Sequence, residues 1–229
     1  MCIRDRQSGG TTVELQSALF PVRFADFDEG MVETLVDDHL LRAGVDGLIT
    51  ISMGRDGFDL ERFPGRRRSA QAPDNLGVVT GASSSAPLIP RSIDAPLQGP
   101  EFVEFNLPVA SLMSVQSPFP VRDNRRVRTL EKGWFEAGSL SELVAQTAVS
   151  GSGGGYLSNE ISYRSVLRSQ RASEPLIIGH IHTPRVTGFD AHTNHAIAEQ
   201  ITLMLTRSVP AMAQLRRFTQ PLDQNGPPK

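Results

Sequence analysis

Three consecutive segments near the N-terminus constrain what this chain can fold into more than any other feature. Residues 13–24 read as a strand ending at Phe24, with Pro21 tolerated near the strand end. Residues 30–43 place Met31, Leu35, Val36 and Leu40 on one helical face, with Gly44 as a C-cap. Leu48-Ile49-Thr50-Ile51, bounded by Gly47 and Gly54, has the pattern of an interior parallel strand. A strand, a helix and a strand of these lengths form a βαβ unit. Such a unit predicts an α/β fold, a three-layer α/β/α sandwich with a mainly parallel sheet.

The 229 residues suit one such domain with a sizeable core, over residues 13–207. Residues 1–12 read as a non-native or disordered leader, and residues 208–229 as a loose tail. With 20 glycines and 16 prolines the chain is expected to carry long loops, above all over 78–138. Within that region 101–109 reads as a strand and Arg122 to Arg128 as a solvated basic segment near Trp134 and Phe135. Residues 139–148 read as a helix capped by Ser139 or Ser141, with Glu142 in its first turn. A further helix after Ser158 carries Ile161, Val166 and Leu167. Pro175 to Gly179 is a buried-strand pattern that delivers His180 and His182 at its C-terminal edge, where ligands gather in open α/β sheets. A last helix spans about 190–207.

Composition excludes several classes of function. The net charge of −2 gives no field that would draw the chain to nucleic acid or an anionic membrane. No run of about 18 apolar residues predicts a transmembrane helix. Cys2 is the single cysteine, so no internal disulfide and no cysteine metal cluster can form. It sits in a polar leader far from any motif, which argues against a nucleophilic role. Residues 1–10 have no apolar core, unlike a signal peptide, and a cytoplasmic location is favoured. Arg66-Arg67-Arg68 reads as a solvated loop.

The chemistry concentrates in Ser150-Gly151-Ser152-Gly153-Gly154-Gly155-Tyr156-Leu157-Ser158-Asn159. A small-residue turn runs into a helix start, where free N–H groups stabilise negative charge. Ser158 sits where a nucleophile would be presented, with Gly153, Gly154, Gly155 and Tyr156 forming the substrate and oxyanion loop. An amidase also needs an imidazole to take the nucleophile's proton and a carboxylate to orient that imidazole. His182 is the candidate for the imidazole and Glu61 for the carboxylate. Each has a plainer reading: a helix cap for Ser158, a structural histidine, and a surface glutamate paired with Arg62 or Arg66. A zinc reading also exists, because His180-x-His182 and Asp190-x-His192-x-x-His195 offer imidazole and carboxylate donors. His192 and His195 start a helix as exposed groups, and no metal or other cofactor is assigned.

Four motifs in order carry a family resemblance. Glu61-Arg62 is followed by Pro73-Asp74-Asn75, preceded by Gly54-Arg55, and followed later by Ser150 to Asn159 with Tyr163 and by Ile181-His182-Thr183-Pro184. Phe20-Pro21-Val22 and Leu107-Pro108-Val109 add two Leu-Pro-type strands. The chain resembles pyroglutamyl peptidase type I, a cysteine peptidase family that removes N-terminal pyroglutamate. The resemblance covers about half the chain, mainly 19–77 and 149–206. It implies a phosphorylase/hydrolase-like fold, a peptide or small amide substrate and a homo-oligomer. It also places Ser158, His182 and Glu61 at the triad positions. The departures are specific. The family's cysteine falls on Ser158, an arginine on Gln71 in the substrate site, and a histidine on Glu160. The family's opening strand and its Gly-Phe-x-Pro-Phe loop have no counterpart before Leu19, so a truncated N-terminus is expected. A hydrolase, a catalytically inactive binding or structural homologue, and a His-based metal hydrolase are the readings the sequence leaves open.

Overall fold

The computed structural model describes residues 2–8, 11–38, 45–116, 118–171 and 176–219. An antiparallel hairpin, β1 (Cys2–Ser8) and β2 (Thr11–Ser17), precedes two short helices, α1 (Phe24–Asp28) and α2 (Met31–Val36). Strands β3 (Gly47–Met53) and β4 (Phe58–Glu61) follow, then the two-residue pair β5 (Arg91–Ser92) and β6 (Ala95–Pro96). Next come α3 (Val109–Met113), β7 (Val121–Asn124), β8 (Arg126–Thr129), β9 (Gly133–Glu136) and β10 (Ala148–Ser150). The chain then forms α4 (Leu157–Ser169), β11 (Ile177–Thr183) and α5 (Ala191–Thr219).

The fold is an α/β/α sandwich around a four-stranded, mainly parallel sheet in the order β3-β11-β4-β7. β11 runs parallel to β3, from Ile177 opposite Gly47 to Thr183 opposite Met53. β4 is antiparallel to β11 and parallel to β7. Phe58, Leu60, Ile177 and Ile181 from this sheet pack with Phe24, Phe27, Val32, Val36, Phe105 and Leu107 in the main core. A second antiparallel sheet, β10-β8-β9, closes over a smaller core of Phe63, Phe102, Val127, Leu143 and Ala148. Among the described residues no helix is long and apolar enough to cross a membrane.

Several elements differ from the sequence expectation, each for a local reason. The 13–24 segment is strand only to Ser17, and α1 begins at Phe24. There the Asp74 carboxylate accepts the Phe24 N–H at 2.9 Å and also binds the N–H groups of Leu76 and Val78. Asp74 thus ties the Pro-Asp-Asn motif to the start of α1, and the Asn75 N–H adds a bond to the Val22 carbonyl at 2.9 Å. Although desolvation opposes it, these donors hold the Asp74 carboxyl below its ordinary value. β3 lies at the sheet edge rather than inside it, with Ile51 and Met53 exposed.

Residues 101–107 form no regular strand, although 101–105 runs antiparallel beside 62–66 through one isolated bridge, Gly65 to Phe102, and the Arg66 N–H bond to Glu101. Val103 donates to Pro64, Phe105 to Arg62 and Asn106 to Ile178. The basic segment 122–128 is not a loop: it forms β7 and β8. The expected helix over 139–148 shrinks to one 3₁₀ turn at Leu140–Leu143, and Ala148 enters β10. α5 continues through Pro210 to Thr219, past the start expected for the tail. Gly44, Pro175 and residues 220–229 lie outside the described residues.

Candidate active site

Strand register assembles the acid and the base. Ile181 stands opposite Leu60, and His182 opposite Asp59. Side chains two apart on a strand share a face, so Asp59 and Glu61 on β4 join His180 and His182 on β11 on one side of the sheet. There His182 Nδ1 lies 2.5 Å from Glu61 Oε1. Asn124, opposite Glu61 on β7, donates to Glu61 Oε2 at 2.8 Å and to the Ser152 carbonyl at 2.9 Å. Glu61 is 1% exposed, so the surface-glutamate reading fails. Burial pushes its carboxyl up from 4.5 to about 7. The bond and charge of His182 and the Asn124 bond pull the other way, and the Asp59 charge adds to the rise. Gly54 makes room for the imidazole: a Cβ there would come within 2.7 Å of the His182 Cβ.

The Gly-rich turn is clamped against the segment that follows Glu61. Ser152 N–H donates to the Phe63 carbonyl at 3.0 Å, and the Phe63 N–H returns a bond to Ser152 Oγ at 2.8 Å. The buried Asn159 amide brackets Gly65, accepting its N–H at 2.9 Å and donating to its carbonyl at 2.7 Å. Gly151 lies inside this clamp. A Cβ at Gly151 would overlap Asn159 Oδ1 and the Gly65 nitrogen and come 2.8 Å from the Phe63 carbonyl. Fixed backbone on two sides leaves no way to relax, so Gly151→Ala is expected to destabilise the protein by about 1–3 kcal/mol, read as a lowered denaturant midpoint with unchanged slope.

The remaining candidates are placed as follows. Gly153 faces Glu61, its absent Cβ position lying 3.6 Å from Glu61 Cγ. Gly154 takes φ +95° at the turn, and the Gly155 carbonyl accepts the N–H groups of Ser69 and Ala70. Tyr156, not Ser158, is the N-cap of α4, and no side chain caps that helix start. The Tyr156 hydroxyl donates to the Pro73 carbonyl at 2.8 Å. Ser158 lies in the first turn of α4, half-buried, with its hydroxyl 3.4 Å from the Gly153 carbonyl. No hydrogen bond joins Ser158 to His182. Gln71 is exposed, next to Ala70. The structure therefore brings Glu61, His182 and the turn together, sets Ser158 beside the turn, and leaves Gln71 at the surface.

Three groups escaped the sequence reading. Asn124 fixes the second oxygen of Glu61. His180, weighed only as a metal ligand, is fully buried beside His182. Glu160 lies between two buried guanidiniums, Arg68 and Arg164, with Arg68 Nε at 2.5 Å and Arg164 Nε at 2.9 Å. That need for an anion gives the departure at position 160 a structural reason, and it removes Arg68 from the solvated loop expected for 66–68. Glu160 and Arg164 stand four apart on α4, a spacing the sequence does display, whereas the bonds from Arg68 to Glu160 and from Asn124 to Glu61 span 92 and 63 residues and carry no local signal. The zinc reading finds no support: among the described residues no three His, Cys, Asp or Glu side chains are placed to hold a metal ion. His192 and His195 are exposed or nearly so on α5, and His195 pairs with Glu199 on its own helix.

The sequence matches no protein-family model and no curated protein. Among solved structures the chain is similar to pyrrolidone carboxyl peptidase from the hyperthermophile Pyrococcus furiosus. The TM-score is 0.54 at 16% identity, covering 84% of this chain and 80% of that one. It is also similar to pyroglutamyl peptidase I from Bacillus amyloliquefaciens, with a TM-score of 0.50 at 16% identity, covering 80% of this chain and 73% of that one. At these identities the likeness speaks to architecture alone: this chain has the fold of the pyroglutamyl peptidases.

Proposed function

We propose that this protein is a pyroglutamyl-peptidase-like amide hydrolase using Ser158, His182 and Glu61. The observation that carries the reading is the bond between His182 Nδ1 and the buried Glu61, made beside a Gly-rich turn that opens a helix. A carboxylate on Nδ1 holds the proton there and leaves Nε2 free to accept one. In the reaction, the Ser158 hydroxyl would leave the Gly153 carbonyl and turn to His182 Nε2. Its oxygen would bond to the amide carbonyl carbon as its proton passes to Nε2. Glu61 would stabilise the imidazolium, and backbone N–H groups at Gly153 to Ser158 would stabilise the oxyanion. His182 would then give the proton to the leaving amine, and water would release the acyl group from Ser158. The two similar structures are named for pyroglutamyl substrates, so the acyl group proposed is pyroglutamyl on a peptide or small amide.

One observation favours a second reading, a homologue that binds such ligands without turnover. Ser158 Oγ points to the Gly153 carbonyl, and a serine, unlike a cysteine, gains nothing from a thiolate-lowering environment. Hydrolysis of a fluorogenic pyroglutamyl amide separates the two. The hydrolase reading expects turnover by the parent protein that Ser158→Ala abolishes. Turnover only in Ser158→Cys means that the pocket and base serve a thiol alone, and the binding reading then holds for the parent.

A further inference from the structure

His180 and His182 share one face of β11, and their rings meet edge to face, centroids 4.7 Å apart at 87°. Both ring nitrogens of His180 are engaged by hydroxyls of the neighbouring strand β3. Thr50 Oγ1 lies 2.8 Å from Nδ1 and Ser52 Oγ lies 2.9 Å from Nε2. Thr50 Oγ1 also lies 3.3 Å from the Gly179 carbonyl. Its one hydroxyl proton can serve that carbonyl or His180 Nδ1, and Ser52 then donates to Nε2 or accepts from it, so either tautomer is satisfied. The two hydroxyls thus hold the orientation of a ring no solvent reaches.

We propose that His180 is a positioning residue for His182, a neutral imidazole clamped by Thr50 and Ser52 against which the His182 ring stands while its Nδ1 faces Glu61. Burial, and the nearness of His182, hold His180 well below the ordinary histidine range. The titratable groups on this face are His182 on its own strand and Glu61 and Asp59 on β4, while β3 contributes only uncharged hydroxyls. Asp59 is held by Arg122 at 2.8 Å. His180 can therefore stay neutral when His182 takes a proton, so the two rings do not compete for it. Any buried histidine needs its nitrogens bound; what singles out His180 is that the ring held in this way stands edge to face against the base.

The proposal rests on the hydrolase reading for its kinetic arm only. Its direct test is NMR of the histidine ring nitrogens in full-length protein, with His180→Phe, Thr50→Val and Ser52→Ala beside the parent. In the parent, His180 is expected to show one protonated and one bare ring nitrogen, a single neutral tautomer, between about pH 5 and 8, and His182 a slowly exchanging Nδ1 proton. In Thr50→Val, whose ladder partner is His180, and in Ser52→Ala, whose ladder partner is His182 itself, that proton is expected to exchange faster, and the Thr50 variant is the one that isolates the effect of His180. Where turnover exists, kcat is expected to fall by roughly 10- to 100-fold with KM unchanged. His182 signals identical to the parent in folded Thr50→Val, Ser52→Ala and His180→Phe proteins would overturn the proposal. A parent that shows the His182 signature yet hydrolyses nothing would overturn the hydrolase reading, and the ring signals would still decide the role of His180.

Discussion

Glu61→Gln is expected to lower amide hydrolysis by about 10³- to 10⁴-fold with the fold intact. Glutamine has one oxygen and one NH₂ where glutamate has two oxygens. Asn124 Nδ2, a donor at 2.8 Å from Glu61 Oε2, claims the oxygen. The NH₂ then faces His182 Nδ1, which must become the acceptor, and the ring proton moves to Nε2. In the proposed mechanism that nitrogen takes the Ser158 proton, so the base is blocked without any loss of packing. Steady-state kcat at saturating substrate is the check.

The same substitution has a stability signature of opposite sense. The folded carboxyl sits at about 7 against its ordinary 4.5, so the native state keeps a proton that the unfolded chain has released. The stability this contributes is full below about pH 4.5 and is lost as pH rises through about 7. The loss is on the order of 3 kcal/mol at about 1.4 kcal/mol per unit. Glu61→Gln removes the titrating group. Denaturant unfolding at pH 5 and pH 8 is expected to show a clear drop in the parent and a much flatter response in the variant.

The second large effect is structural. Glu160→Gln is expected to cost about 3–5 kcal/mol and, at about 2–4 °C per kcal/mol for a chain this long, to lower Tm by on the order of 10 °C. Glu160 is 2% exposed, and its two oxygens serve Arg68, 3% exposed, and Arg164, 1% exposed. Each arginine has a further anchor: Asp28 for Arg68 and Glu33 for Arg164. The cluster ties α1 and α2 to α4, the helix that carries Ser158. Neutralising its central acid leaves two guanidiniums side by side out of water. By contrast, Asp56→Asn, which removes one exposed partner of Arg122, is expected to leave Tm unchanged within error. Calorimetry of both variants against the parent checks the contrast.

The parts of this fold that could be read from sequence are those whose signal is local. The apolar runs of β3 and β11, the Gly-rich turn and the start of α4 each carry their pattern within a few residues. So did Glu61 and His182, through the short motifs around them. Where long-range bonds decide, the pattern misled. Phe102, Val103 and Phe105 look like a strand and do run beside 62–66, but that pairing stays an isolated bridge and Asn106 turns to Ile178, so no regular ladder forms. Phe20 to Phe24 read as a strand end until Asp74, 50 residues later, takes the Phe24 N–H and starts a helix. The edge position of β3 was hidden because Thr50 and Ser52 turn their polar side to His180, 130 and 128 residues away. Long separation also hid Asn124, 63 residues from Glu61, and Arg68, 92 residues from Glu160; the Glu160–Arg164 spacing of four was legible, but not its burial.

The most direct measurement is of the bond the mechanism requires. Parent protein turning over a pyroglutamyl amide would be quenched in acid, digested and analysed by mass spectrometry. The expected result is a pyroglutamyl adduct on the peptide containing Ser158, absent in Ser158→Ala and in His182→Ala. Turnover with no adduct on that peptide, or an adduct that survives Ser158→Ala, would contradict the account.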